Sequence, residues 1–196
     1  ITRGRTMKKW LIPLALLAAV PAHADWVLNS DQSALSFVST KAINIAEVHR
    51  FGTLSGDVSE DGQVAIDIDL GSVDTAIELR DERMREMLFN TAEHPTASIR
   101  ARVDSAALGA LEPGQSTTMA VEAMLSLHGT GRPVTMEVIV ARIGDHSLMV
   151  STSKPVIINA AQFALGDGVE ALRAIAGLPS ISLAVPVSFV LAFDGS

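Results

Sequence analysis

Near the end of the chain Ile181, Leu183, Val185, Val187, Phe189, Leu191 and Phe193 occupy seven consecutive alternate positions. Successive side chains of an extended strand point to opposite faces, so such a run buries one face and wets the other. The same period governs Val64, Ile66, Ile68 and Leu70, and again Met119, Val121, Ala123, Leu125 and Leu127. Further strands are expected at 33–40, 46–59, 96–103, 133–143 and 147–152. Glu60-Asp61-Gly62, Glu112-Pro113-Gly114, Gly129-Thr130-Gly131 and Gly144-Asp145 supply the turns. Connections this short join antiparallel neighbours. About eight such strands with little helix make an all-β fold, a closed barrel or a sandwich.

Two segments leave this period. Residues 166–177 place Val169, Leu172 and Ile175/Ala176 at helical spacing, with Asp167 as N-cap and Gly177 as a stop before Pro179. In the second, Thr75-Ala76-Ile77-Glu78 fits a capping box, followed by good helix formers to Leu88. Asp81 with Arg85, and Glu82 with Arg85, stand at pairing distance along that helix. Ile77, Met84 and Leu88 share an apolar stripe, and Arg83 and Glu86 fall away from it. Most of this charge is then a solvated face. Arg80 and Asp81 flank the stripe and are placed to face a barrel mouth, where a guanidinium suits a polar or anionic head group.

Met7 opens a different kind of segment. Lys8 and Lys9 form a basic start, Trp10 to Val20 an apolar stretch, and Ala22-His23-Ala24 a small-residue cleavage motif. This is the pattern of a secretory signal with cleavage after Ala24, and the apolar stretch is too short for a membrane span. Residues 1–24 are thus set apart as a short leader and signal, and 25–196 as one domain in the periplasm, with no integral membrane span. Removing Arg3, Arg5, Lys8 and Lys9 takes the formal charge from −7 to −11. Such acidity disfavours nucleic acid and anionic membrane surfaces, which select basic patches. The chain has no cysteine. Disulfides, thiol catalysis and cysteine metal sites are therefore excluded, and stability must come from the core. An outer-membrane barrel would need aromatic girdles, but there is no tyrosine, and Trp26 is the one tryptophan after the signal.

Signals of catalysis are sparse. His49, His94, His128 and His146 show no metal-binding spacing, no G-x-S-x-G elbow is present, and neither G-x-G has a dinucleotide context. No catalytic residue, metal or cofactor is expected. His49, within EVHRFGTLSG, is the best single candidate for a polar pocket residue; a histidine on the outside of a strand is the competing assignment. An enzyme acting on a lipidic substrate would have to use His49 with Asp74 or Asp81.

Several stretches, taken in order, resemble the YceI-like periplasmic polyisoprenoid-binding family: DWVLNSDQSALSFVSTK, HRFGTLSGDVSEDG, SVDTAIELRDERMREMLFN, EHPTASIRA, LSLHGTGRPVTMEV and GLPSISLAVPVSFVLAF. The resemblance implies a lipocalin-like antiparallel β-barrel with a helix beside it and a long isoprenoid chain in an apolar lumen. Relatives often carry an Asn-Arg-x-Asp-Phe-Gly-like run, which here reads Asn159-Ala160-Ala161-Gln162-Phe163-Ala164, without the basic and acidic positions. On this reading the protein is a non-catalytic carrier of an isoprenoid lipid or quinone, or of another small hydrophobe such as a fatty amide; a homodimer is compatible with it. Phe37, Phe51, Ile66, Ile68, Leu70, Val121, Leu125, Val138 and Leu183 are expected in the lumen, Met84 and Leu88 close one side, and Arg80 and His49 meet the head group. Alternation by itself equally allows these side chains to fill a solid core.

Overall fold

The structure, a computed structural model, describes residues 24–195. The expected signal segment, apart from its last residue Ala24, lies outside the described residues. The strands are β1 (Ala24–Lys41), β2 (Ile45–Phe51), β3 (Leu54–Ser59), β4 (Gln63–Asp69), β5 (Val73–Asp74) and β6 (Thr96–Arg102), then β7 (Ser116–Leu127), β8 (Thr130–Gly144), β9 (Ser147–Thr152), β10 (Val156–Asn159) and β11 (Ala184–Gly195). The helices are α1 (Glu78–Arg83), α2 (Ser105–Gly109) and α3 (Gly166–Ile175).

These eleven segments make eight strands. β2 and β3 both pair with β1 and are separated only by Gly52 and Thr53, so they are one strand broken by a kink. β9 and β10 pair with successive parts of β11 in the same way. β5 adds two residues beside β2. Every neighbouring pair is antiparallel, and β1 against β11 closes the ring. The lipocalin-like barrel expected from the periodicity and the resemblance is borne out. Outward positions carry charge, such as the Asp67–Arg100 pair at 2.8 Å. Inward positions form the apolar core, the reverse of an outer-membrane channel.

Local chemistry explains the joints. The β7–β8 hairpin turns on His128 and Gly129, both at positive φ (50° and 71°), the signature of the tight turn whose twist matches the strands. The turn is thus one residue earlier than Gly129-Thr130-Gly131 suggests. After β10, Asn159 Oδ1 accepts from Ala161 N at 3.0 Å and starts a short 3₁₀ turn, Ala160–Phe163, that ends on Ala164 at φ 56°. A left-handed alanine is strained where glycine is not. The run to which the resemblance compares this segment has glycine here. Ala164→Gly is expected to stabilise the fold by about 1 kcal/mol or less, a rise in Tm of roughly 2–4 °C, read by thermal melts.

Other local expectations fail, among them Asp167 as a helix N-cap, a place taken by Leu165 without a side-chain bond. The long terminal run is not one strand, since β11 starts at Ala184. Against β1, Phe37 pairs with Val187 but Lys41 with Ile181, so two extra residues bulge out between. Leu183 sits in that bulge and is exposed, while Ser182 faces the lumen. Nor does Thr75 cap the charged helix; Ile77 occupies the N-cap without a side-chain bond. α1 runs only to Arg83 and continues as a π turn over Met84–Leu88, closed by Phe89 N donating to Met84 O at 2.9 Å. The wider turn shifts the phase, so Met84 and Phe89 both point into the barrel. Ile77 is left exposed rather than in the stripe. Arg85 pairs with neither Asp81 nor Glu82 among the described ion pairs, which include only one within a helix, Glu170–Arg173.

Candidate functional site

The inside of the barrel changes character along its axis. In one half Leu54, Ile66, Val138, Val140, Leu148 and Phe193 interlock as a closed core, each at most 4% exposed. In the other half the same inward positions surround a cavity of ≈ 440 Å³, within the roughly 300–1,000 Å³ typical of small-molecule sites. Its walls come from β1, β2, β4, β6, β7, β8, β10 and β11, and α1, the π turn and α3 cover it from above. α3 lies close because Gly168 meets the chain at Met87 and Leu88; a Cβ there would stand 2.7 Å from Met87 O.

Of the expected lumen residues, Phe37, Phe51, Ile68, Leu70, Met84, Leu88 and Leu125 line this cavity, as do His49 and Arg80. Ile66, Val121 and Val138 do not. Each faces inward, but one or two inward positions further along its strand, where the barrel is filled. Leu183 is turned outward by the bulge. Alternation identifies the inward face but carries no information on where along the axis packing stops.

The polar lining gathers at the β1–β2 hairpin. From Phe37 the inward face of β1 continues through Ser39 to Lys41, and that of β2 runs from Phe51 through His49 to Glu47. Ser39, Lys41 and Glu47 were reachable by extending the parity of Phe37 and Phe51, and sequence reasoning missed them. Arg83, expected to face away, lines the cavity as well. Glu47 Oε2 is 2.8 Å from Lys41 Nζ and 2.7 Å from an Arg80 guanidinium nitrogen. The hydrogen bond from Lys41 leads in holding the Glu47 carboxyl below its ordinary range, partly opposed by desolvation, with the Arg80 charge adding to it. Arg80 also donates from Nε to Thr75 Oγ1 at 2.8 Å and to Thr75 O at 2.7 Å. Thr75 in turn donates from both N and Oγ1 to Asp81 Oδ1. The charged stretch is therefore no mere wet face: its first turn is tied to the barrel rim by Arg80.

His49 is 4% exposed, packs 5.2 Å from the Phe37 ring and shares a 2.8 Å hydrogen bond between Nε2 and Ser39 Oγ. Its Nδ1 has no partner among the described residues, which is costly for a buried polar atom unless something else meets it. Burial, and after it the Arg80 charge, lower the imidazole below its ordinary pKa of 6.5, so the ring is neutral at neutral pH. The unfolded chain then takes up a proton near pH 6.5 that the folded chain accepts only lower down. On this contribution stability is level above that pH and falls as pH drops below it; His128, also lowered by burial, acts in the same direction. Melts across this window should show His49→Gln flattening part of the acid-side fall, whereas slopes equal to the parent's would contradict the assignment.

Neither carboxylate suggested as a catalytic partner reaches the imidazole. Asp74 accepts from Ala76 N and Arg50 Nε, at 2.9 and 2.8 Å, and Asp81 is held by Thr75. The Ser39–His49 contact resembles the first half of a nucleophile–base pair, but nothing orients Nδ1. Among the described residues no group of three acidic or histidine side chains could hold a metal. What the arrangement can do is offer a hydrogen bond and charge at one end of an apolar hollow.

The YceI-like domain model matches residues 26–193. A polyisoprenoid-binding domain from Saccharophagus degradans, implicated in plant cell wall breakdown, is 38% identical, with TM-score 0.87 over 89% of this chain and 100% of its own. BcnA of Burkholderia cenocepacia is 20% identical, with TM-score 0.66 over 84% of this chain and 98% of its own. A Campylobacter jejuni YCEI protein is 12% identical, with TM-score 0.54 over 76% and 84%. The last two share the fold. No curated protein matches this chain.

Proposed function

Because this chain belongs to the YceI-like family, we propose that it is a non-catalytic periplasmic carrier that holds an isoprenoid lipid or quinone in the half-open barrel. The observation that carries the reading is the cavity itself: an apolar hollow of ≈ 440 Å³ with its polar side chains confined to one end. A prenyl chain lies along Ile68, Leu125, Met136 and Phe189, and its head group meets His49, Ser39 and Arg80. The unpartnered Nδ1 of His49 bonds a quinone carbonyl or a hydroxyl, depending on the tautomer that Ser39 selects. Each buried methylene contributes about 0.8 kcal/mol, nearly what a bilayer offers, so the cargo exchanges rather than being trapped. The polyisoprenoid-binding relative from Saccharophagus degradans supports this choice of ligand class.

The test is a titration of the purified protein with a detergent-solubilised prenyl quinone, followed by thermal shift. Saturable stabilisation is expected, and His49→Ala should weaken it by roughly 5–30-fold, the loss of one buried hydrogen bond. Absence of any shift would count against the reading. So would hydrolysis of a lipid ester that disappears in Ser39→Ala.

A further inference from the structure

We infer that the lip of the cavity is a docking surface for a phospholipid bilayer, on which the carrier settles with its mouth against the membrane. The inference uses the carrier reading only to say why a lipid should cross there. Ile175 lines the cavity and is 50% exposed, so the opening lies at the C-terminal turn of α3. The β1–β2 hairpin forms the adjoining edge, held there by Ala42 N donating to Ser180 O at 2.9 Å. Ile45 pairs with Lys41 and continues the cavity-facing side of β2 beyond Glu47, out into solvent. Ile43, at the hairpin tip, is 78% exposed. On the third side the Glu47–Arg80 bridge brings in the start of α1, with Ile77 and Leu79 both more than half exposed. Large apolar side chains thus rim the opening through which this apolar cavity reaches the surface, a continuity that scattered surface residues lack.

The backbone gives an independent sign. Ile43 holds φ 71°, a conformation that a β-branched residue adopts only under strain. Its side chain is exposed, so no burial among the described residues offsets that strain. Charge selects the partner. The charged residues lining the cavity are Lys41, Arg80 and Arg83 against Glu47 alone, an excess of two positive charges, with His49 neutral, in a chain of net −7. Glu78, between Ile77 and Leu79, and Glu82 are exposed on α1 and do not line the cavity. Cations behind a ring of isoleucine and leucine match the phosphates and the outer acyl region of a bilayer. A second copy of the chain would bring the same excess of positive charge to meet its own. Among the described residues no helix is long and apolar enough to cross a membrane, so the contact is peripheral.

The test is flotation of the protein with vesicles of phosphatidylcholine containing phosphatidylglycerol, comparing the parent with Ile43→Asn/Ile45→Asn. The parent is expected to float, and the variant's partitioning to fall by about ten-fold or more. Asparagine tolerates positive φ, so Ile43→Asn alone should melt higher while floating less; a defect in folding would move both the same way. Uptake of a prenyl quinone from detergent is measured alongside. A parent that takes up quinone but does not float overturns the docking surface and leaves the carrier standing. One that floats without taking up quinone supports the surface and overturns the carrier. A vesicle-free parent that sediments as a dimer, and a variant as a monomer, would assign the face to a second copy and overturn the inference.

Discussion

Leu125→Trp combined with Val187→Phe is expected to abolish measurable binding of a prenyl quinone while leaving a folded barrel. Both side chains line the cavity from separate strands, β7 and β11. The added ring atoms enter space that is empty of side chains, so overpacking strain is small compared with the same change in the filled half. They take the room of roughly one isoprene unit. At about 0.8 kcal/mol for each buried carbon this forfeits ~4 kcal/mol of binding, close to a thousand-fold. Thermal shift and equilibrium dialysis read the loss, and circular dichroism checks the fold. Undiminished affinity would mean that the ligand lies elsewhere. Val138→Phe, the corresponding change in the closed core, should act on stability instead, because Val138 is 3% exposed and has no hollow beside it.

The largest loss of stability is expected from Phe163→Ala. Phe163 is 1% exposed and ends the 3₁₀ turn that follows β10. Its neighbours fix that turn from several sides: Ala160 N donates to Leu183 O at 2.8 Å, and Arg132 Nε donates to Gln162 O at 3.3 Å. The ring therefore sits in a frame that cannot close over a void. Truncation should cost about 3–5 kcal/mol, a fall in Tm of the order of ten degrees. Ile175→Ser, at the half-exposed lip, should change stability by less than ~0.5 kcal/mol. A mild effect of Phe163→Ala would show that the segment after β10 is not anchored as described.

Much of the fold was legible in the sequence because a barrel strand obeys a strict local rule. Val64 to Leu70 and Met119 to Leu127 alternate, and each turns the expected face inward. The kinks at Gly52–Thr53 and after Thr152 leave that parity useful, so 46–59 read as one strand was physically sound. The failures were non-local. Leu183 has the right parity in sequence, but it falls within the stretch where two extra residues bulge from the pairing with β1, and nothing within 181–193 announces the bulge. Thr75 has the composition of a cap, yet its hydroxyl is engaged by Asp81 and Arg80, and it is Arg80's reach to Glu47 across the rim that places the helix. The cavity was only half legible. Ile66 and Ile68 are neighbours on one face, and the boundary between packed core and hollow falls between them. That boundary depends on how far α1 and α3 stand off the barrel end, which period-two patterning does not encode.

The central claim is that the open half of the barrel holds a prenyl lipid. Mass spectrometry of an organic extract from protein purified without detergent tests it most directly. A prenyl quinone or polyprenyl species near one per chain is expected, lost in Leu125→Trp/Val187→Phe. An extract free of lipid, from a protein whose melting is unmoved by added prenyl quinone, would contradict it.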